Sequence, residues 1–420
     1  MQTSLEIEEK EGLKLTKYGW LPDDWKLIRL ADVGDFKNGI NKSKDDFGHG
    51  VPFINLLDVF GKSVIEAQDF ALVNATDKEQ ELYSLKKGDV LFIRSSVKPD
   101  GVGLTSLIDS DLANTVYSGF IIRYRTNKNV FYHDFKKYCF YGDKFRNQLL
   151  IRSSISANTN INQESLRQLY IPLPPLSEQR TIASILSTWD KGIDKLQQLI
   201  TAKQKRKRAL MQQLLTGKIR FQEFVEEWQE VRLGDVLKER IETNRSDLKL
   251  LSITSSGGIV DRDTLEKRDT SNEDKGKYRR IAPGDIGYNT MRLWQGVAAL
   301  SELEGIVSPA YTIVIPQDAV EARFMSYLFK LPQMIHTFYR HSQGLVDDTR
   351  NCKYNHFAKI KVILPNKAEQ IKIASALQTA DKEIETLQQK LDALKLQKKG
   401  LMQKLLTGQV RVNLKPEPLS

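Results

Sequence analysis

One segment of this chain occurs twice. Glu178 to Phe221 aligns without a gap on Glu369 to Val412, and about half of the aligned positions are identical. Apolar residues recur at alternating steps of four and three: Ile182, Leu186, Trp189, Ile193, Leu196 and Ile200 in the first copy, and Ile373, Leu377, Ala380, Ile384, Leu387 and Leu391 in the second. That spacing predicts two long helices carrying a coiled-coil seam. Lys203 and Lys207 interrupt one seam and Lys398 the other, which favours a short pairing of fixed register within one chain over an extended zipper.

Both ends of each helix are marked. Pro174-Pro175-Leu176-Ser177 precedes the first, and Pro365-Asn366, with Glu369 three residues on, precedes the second. Each closes on Thr-Gly, at Gly217 and Gly408, where glycine can turn left-handed and satisfy the last carbonyls. At 1.5 Å per residue each helix would run about 58 Å. The repeat continues more weakly upstream. Trp25, Arg29, Leu30, Asp32 and Val33 are echoed by Trp228, Arg232, Leu233, Asp235 and Val236, and Gly88-Asp89-Val90 by Gly284-Asp285-Ile286.

Between those anchors the halves differ. Both read as α+β, with strands expected at 89–94, 119–124 and 310–315 and amphipathic helical stretches at 131–150 and 321–339. The organisation expected is a first globular domain at 1–177, a spacer helix at 178–220, a second globular domain at 221–368, and a second spacer helix with a C-terminal tail at 369–420. The fold class is α+β: two globular domains and an intramolecular antiparallel coiled coil with pseudo-twofold symmetry.

The net charge is +10. The first copy through Arg220 has ten bases against three acids, and the second through Arg411 eight against five, so the two copies hold the whole excess. The globular parts are neutral, and any polyanion they bind must meet local patches. The run Lys203 to Arg208 (KQKRKR) is read first as a solvated helix face.

Much chemistry is missing. Gly101-Val102-Gly103-Leu104 lacks the third glycine of a dinucleotide turn, and there is no P-loop. Leu173-Pro174-Pro175-Leu176 shares only its prolines with the motif by which adenine methyltransferases grip a flipped base. His49, His133, His336, His341 and His356 form no helical ligand pair and are read as structural, and no nucleophile elbow is present. No catalytic residue and no metal site are expected. Cys139 and Cys352 stand alone, the N-terminus is acidic, and no stretch approaches about eighteen apolar residues. A cytoplasmic protein without a membrane partner is expected.

The doubled helix with its EQ start and LLTG end, its proline lead-in at 172–179 and 364–370, and the Trp-to-Val opening of both halves resemble a type I restriction-modification specificity subunit. In the second half, Tyr278, Pro283-Gly284-Asp285, Tyr288 to Arg292, Trp294-Gln295-Gly296 and Ser308 to Tyr311 resemble a recurrent pattern of that family's target recognition domains. With Lys87 to Leu91 and Ser118-Gly119, the first half resembles a different domain subtype.

The resemblance implies a noncatalytic subunit that chooses the double-stranded DNA sequence. Two methyltransferase subunits would dock on it, and restriction/translocase subunits would join through the complex. No cofactor is expected on this chain; S-adenosylmethionine, ATP and Mg would bind the partners. Each domain would read one half of a bipartite asymmetric site, with half-sites about one turn, ~34 Å, apart.

Base readout needs amide, hydroxyl or guanidinium groups on loops. Candidates in the first domain are Lys42 and Lys44; Arg94, Ser95 and Lys98; and Arg152, Ser154, Asn158 and Asn160. In the second they are Ser255, Arg279 and Arg280, Arg292 and Gln295, and Gln343 and Arg350. Each is equally ordinary loop chemistry. Two alternatives remain at this point: a coiled-coil scaffold whose domains bind proteins, and a stand-alone nuclease or methyltransferase, which the missing motifs disfavour.

Overall fold

The computed structural model describes residues 11–254, 258–265 and 275–413. It divides into two compact units, Met1–Leu196 with Lys390–Ser420, and Gln197–Gln389. Each unit therefore combines one globular domain with part of each long helix. Those helices span Leu176–Leu214 and Lys367–Leu406, starting two residues before the EQ pairs.

The first unit holds a five-stranded sheet in the order Gly34–Asn38, Ile121–Thr126, Val90–Ile93, Thr105–Ile108, Val64–Ile65. The second holds four strands in the order Leu237–Arg240, Tyr311–Pro316, Ile286–Asn289, Ala298–Leu300. The first four strands of one sheet correspond in order and antiparallel sense to the other four. The duplication thus reaches the sheets, where little sequence likeness survives.

The Gly-Asp echo explains part of that survival. Gly88 and Gly284 both have φ of 91°, which β-carbon-bearing residues rarely adopt. The buried aspartates that follow accept two hydrogen bonds from a guanidinium, Arg125 on Asp89 at 2.7 and 2.6 Å and Arg240 on Asp285 at 2.7 and 3.0 Å. A backbone N–H, of Lys86 or Ala282, donates to each at 2.8 Å. Buried carboxylates need such partners to offset lost hydration.

The strand entering each domain also pairs with the strand leaving it for the helix. Lys26–Arg29 lies antiparallel to Tyr170–Leu173, and Gln229–Arg232 to Lys361–Leu364. Each core closes over both helices. Trp25, Phe92, Tyr124 and Phe140 pack with Ile182 and Leu186 of the first helix and Leu405 and Leu406 of the second. Tyr288, Phe324, Phe338 and Phe357 pack with Leu214 and with Ile373 and Leu377. The helices are antiparallel within each unit, since the start of one shares a core with the end of the other.

The helix ends follow their glycines, with Gly217 at φ 69° and Gly408 at φ 71°. The Ile219 and Val410 N–H groups reach back to the Gln213 and Lys404 carbonyls. The two shorter helical stretches are corrected. In place of one helix over 131–150 there are short turns at Asp134–Lys137 and Cys139–Tyr141, then a helix at Asp143–Ile151 after extended Gly142. The stretch 321–339 splits into Ala322–Leu328 and Pro332–His341, because Pro332 holds Leu331 extended (ψ 138°). No helix is long and apolar enough to cross a membrane among the described residues.

Candidate nucleic-acid interface

The positions shared by both halves brace the domains to the helices. Glu178, almost wholly buried, accepts from Trp25 Nε1 at 2.9 Å and from Arg411 at 2.8 and 2.9 Å. Glu369 accepts from Trp228 Nε1 at 3.2 Å and from Arg220 at 2.9 and 2.8 Å. In both cases the arginine follows the end of the other helix. The carboxylates hold both guanidiniums more firmly protonated than usual.

The neighbouring glutamines bind backbone groups of the adjoining loops. Gln179 takes the Tyr132 N–H and donates to the Val130 and Pro174 carbonyls; Gln370 takes the Glu321 N–H and donates to those of Ala319 and Pro365. Asn366 caps the second helix through the Glu369 N–H at 2.9 Å, while the Glu369 carboxylate is committed to the brace.

A second brace lies further along. Asp190 accepts from Tyr138 Oη at 2.7 Å and pairs with Lys398; Asp381 accepts from Tyr327 Oη at 2.6 Å and pairs with Lys207. Burial beside a carboxylate pushes both tyrosine hydroxyls well up. Lys203 pairs with Glu383. The lysines that interrupt the seams thus reach across to the opposite helix, and the KQKRKR run splits: Lys203 and Lys207 turn inward, while Lys205, Arg206 and Arg208 are exposed.

Two of the loops named from sequence meet in the first unit. Ser95–Ser96, Thr159–Asn160 and Ser154–Ile155 form a three-stranded sheet, with Asn160 opposite Ser95 and Ser154 opposite Asn160. Ile161 N–H donates to the Arg94 carbonyl, and Arg94 Nη1 donates to the Gly119 carbonyl at 3.2 Å. Asn160 Nδ2 bonds the Asn158 carbonyl, bracing the hairpin.

Arg152, Ser154, Asn158 and Lys98 are exposed. Ser95, Lys98 and Asn158 line a groove of about 620 Å³ floored by Leu57, Phe60, Val97 and Phe120, a feature that alternation in the sequence did not reveal. Lys44 is exposed on the turn Lys44–Asp46. Lys42 is spent on Glu79 at 2.8 Å, its side chain only 13% exposed, and that contact with the Thr76 N–H holds the Glu79 carboxyl below its usual range.

The second unit treats its cations differently. Arg279 donates to Glu239 at 2.5 Å; Arg280 binds Glu242 at 2.9 Å and Glu304 at 2.6 Å. Arg292 bonds Gln295 at 3.2 Å on the turn Leu293–Gln295, and Trp294 Nε1 bonds the Met291 carbonyl. That turn packs on the helix ending at His341, where Trp294 meets Tyr339 edge-on and the Arg350 guanidinium lies 4.0 Å over the Tyr339 ring. Gln343 and Asn351 bond each other through both backbone groups at 2.8 and 2.7 Å. The sequence-named stretches 292–295 and 341–350 are therefore neighbours; Ser255 lies outside the described residues.

His133, Asp109 and Asp134 place three possible metal-ligating atoms within 4.8 Å of one another. His133 Nε2 already lies 2.5 Å from Asp109 and Lys137 3.0 Å from Asp134, so both carboxylates already have partners.

The duplicated helix-and-sheet frame thus carries two unlike polar surfaces. The profile of the family described as type I restriction modification DNA specificity domain matches residues 22–204 and 225–396, and the chain belongs to that family. Among curated relatives, the putative type I restriction enzyme MjaX specificity subunit of Methanocaldococcus jannaschii is 26% identical over 438 residues, covering 97% of this chain and 99% of that one. The EcoKI specificity subunit of Escherichia coli K12 is 23% identical over 159 residues, 37% of this chain and 34% of that one. Among solved structures, the HsdS subunit of Thermoanaerobacter tengcongensis superposes with a TM-score of 0.50 at 18% identity, covering 93% of this chain and 98% of that one. A chain from a study of type I R-M assembly and conformational transition superposes at 0.59 and 17%, covering 93% and 99%. These likenesses support the fold.

Proposed function

We propose that this chain is the noncatalytic sequence-specificity subunit of a type I restriction-modification complex. Each globular domain reads one half of a bipartite asymmetric site in double-stranded DNA, and the helix pair sets the unread gap and docks two methyltransferase subunits. S-adenosylmethionine, ATP and Mg bind partner subunits, and restriction/translocase subunits join through the complex. The observation that carries the reading is the contrast between duplicated braces and unduplicated faces. Equal clamps at Glu178 and Glu369 hold two domains whose exposed polar groups differ, which suits one frame presenting two different readers.

The test is protection of duplex DNA by the chain co-purified with its methyltransferase subunit. Two protected stretches separated by an unread gap are expected, and inserting one helical turn in both long helices should lengthen that gap. A complex that leaves all duplexes unprotected would support a protein-binding scaffold instead.

A further inference from the structure

Each domain carries a hairpin-like projection with an exposed apolar side chain near its tip. In the first, the helix Asp143–Ile151 leads into the projection and Gln163–Arg167 follows; in the second, Pro332–His341 leads in and Tyr354–Phe357 follows. Near the tips lie Ile155, 78% exposed on the last rung before the turn at 156–158, and Leu345, fully exposed past the Gln343–Asn351 bridge with Val346 beside it. Ile155 follows the helix end Ile151, and Leu345 the helix end His341, at the same offset in two segments with no detectable sequence likeness. A single exposed aliphatic residue needs no explanation; one at the same offset from the helix end in both halves does.

Both projections are built to hold their shape. The first is a ladder of Ser154 with Asn160 and Ile155 with Thr159, tied to the edge strand Ser95–Ser96. The second is closed by the double Gln343–Asn351 bond and anchored by the Cys352 N–H on the Thr290 carbonyl at 2.8 Å. Gly344 has φ of 134°, and a β-carbon there would lie 2.6 Å from the Thr349 carbonyl oxygen, so only glycine permits this turn. The flanks are polar: exposed Arg152, Ser154, Ser156 and Asn158 beside Ile155 in sequence, and Asp347, Asp348 and Arg350 after Leu345, with Arg350 stacked on Tyr339. Asp347, the nearest described carboxylate to Leu345 in sequence, accepts from Arg350 Nε at 3.4 Å.

We infer that Ile155 and Leu345 are wedges that enter the base stack of the duplex, one in each half-site, and hold the stack open for the base that the methyltransferase must extrude. The inference rests on the DNA-reading function proposed above. Leucine and isoleucine on rigid projections serve this way because the apolar side chain covers the base faces that open when neighbouring bases part, while flanking polar groups hold sugar and phosphate. A base must leave the stack before a methyl group reaches it.

The experiment uses the full chain in complex with its methyltransferase subunit, and duplexes of the motif mapped from methylated adenines, with 2-aminopurine replacing the target adenine in one half at a time. A several-fold fluorescence rise on binding is expected in each half. Ile155→Ala should remove roughly four-fifths of the rise in the first half alone and weaken binding about tenfold, Leu345→Ala should do so in the second half alone, and Ile155→Leu should restore the signal.

Both side chains are exposed, so the variants leave the cores intact. Full fluorescence in both variants, with binding retained, would overturn the wedge and leave DNA reading standing. Loss of the methyltransferase subunit on purification of Ile155→Ala or Leu345→Ala would overturn it in favour of a protein-docking tip. Failure of the unaltered complex to bind any such duplex would remove DNA reading and the wedge together.

Discussion

The two units agree where they grip the helices and disagree where they face outward. Trp-Glu-Arg and Tyr-Asp-Lys braces recur side chain for side chain, with the arginine and lysine supplied by the opposite helix each time. On the outer faces, the first unit leaves Lys98 and Arg152 exposed and without ion pairs among the described residues, whereas the second binds Arg279 and Arg280 to carboxylates and stacks Arg350 on a ring. A frame that must set one geometry tolerates little drift; faces that must distinguish different partners gain by it.

The braces can be broken first. Glu178→Ala orphans the buried Trp25 N–H and frees Arg411, a loss of about 2–3 kcal/mol in the stability of the first unit. Glu369→Ala should lower the second unit's denaturation midpoint alike; two very unequal losses in urea titrations would show that the braces are not equivalents. Next, Asp190→Lys sets two ammonium groups together and should cost about 1–2 kcal/mol, most of it recovered by adding Lys398→Asp. A double variant no better than the single would mean that the pair does not set the helix register.

The faces come next. Arg152→Ala should weaken DNA binding by about 1 kcal/mol and lower the salt slope by about one. Arg280→Ala, already neutralised by Glu242 and Glu304, should change that slope less. Equal slopes for both variants would erase the contrast between the faces. The smallest effect concerns the thiols. Burial pushes Cys352 up to about 12 and raises Cys139 as well, so neither should react with a thiol reagent at pH 8 until the chain unfolds.

The frame was largely legible in the sequence because it is written twice. The long helices start two residues before the EQ pairs and stop at Leu214 and Leu406, just short of the Thr-Gly ends, since prolines, Asn366 and the terminal glycines punctuate them. The first of them ends well before the 220 expected as its bound. The role of the EQ pair was not legible: Glu178 meets Arg411 across 233 positions, and only the antiparallel register brings them together. Lys207 and Lys398 read as flaws in an apolar stripe, although Asp190 and Asp381, which fall on each other in the two copies as the lysines do, were the signal that could have found their partners. On the faces, residue type alone could not separate Lys42, tied to Glu79, from exposed Lys98, and a single aliphatic such as Ile155 carries no periodic mark. The meeting of 94–98 with 152–162 depends on a strand ladder of two residues, too short to leave a pattern.

The most direct test is to map methylated adenines in DNA from cells expressing this chain with its methyltransferase subunit. Two dissimilar short sequences separated by a constant unread gap are predicted, with exchange of residues 26–173 altering only one of them. A continuous motif, or one whose two parts both change on that exchange, would contradict a frame that carries two independent readers.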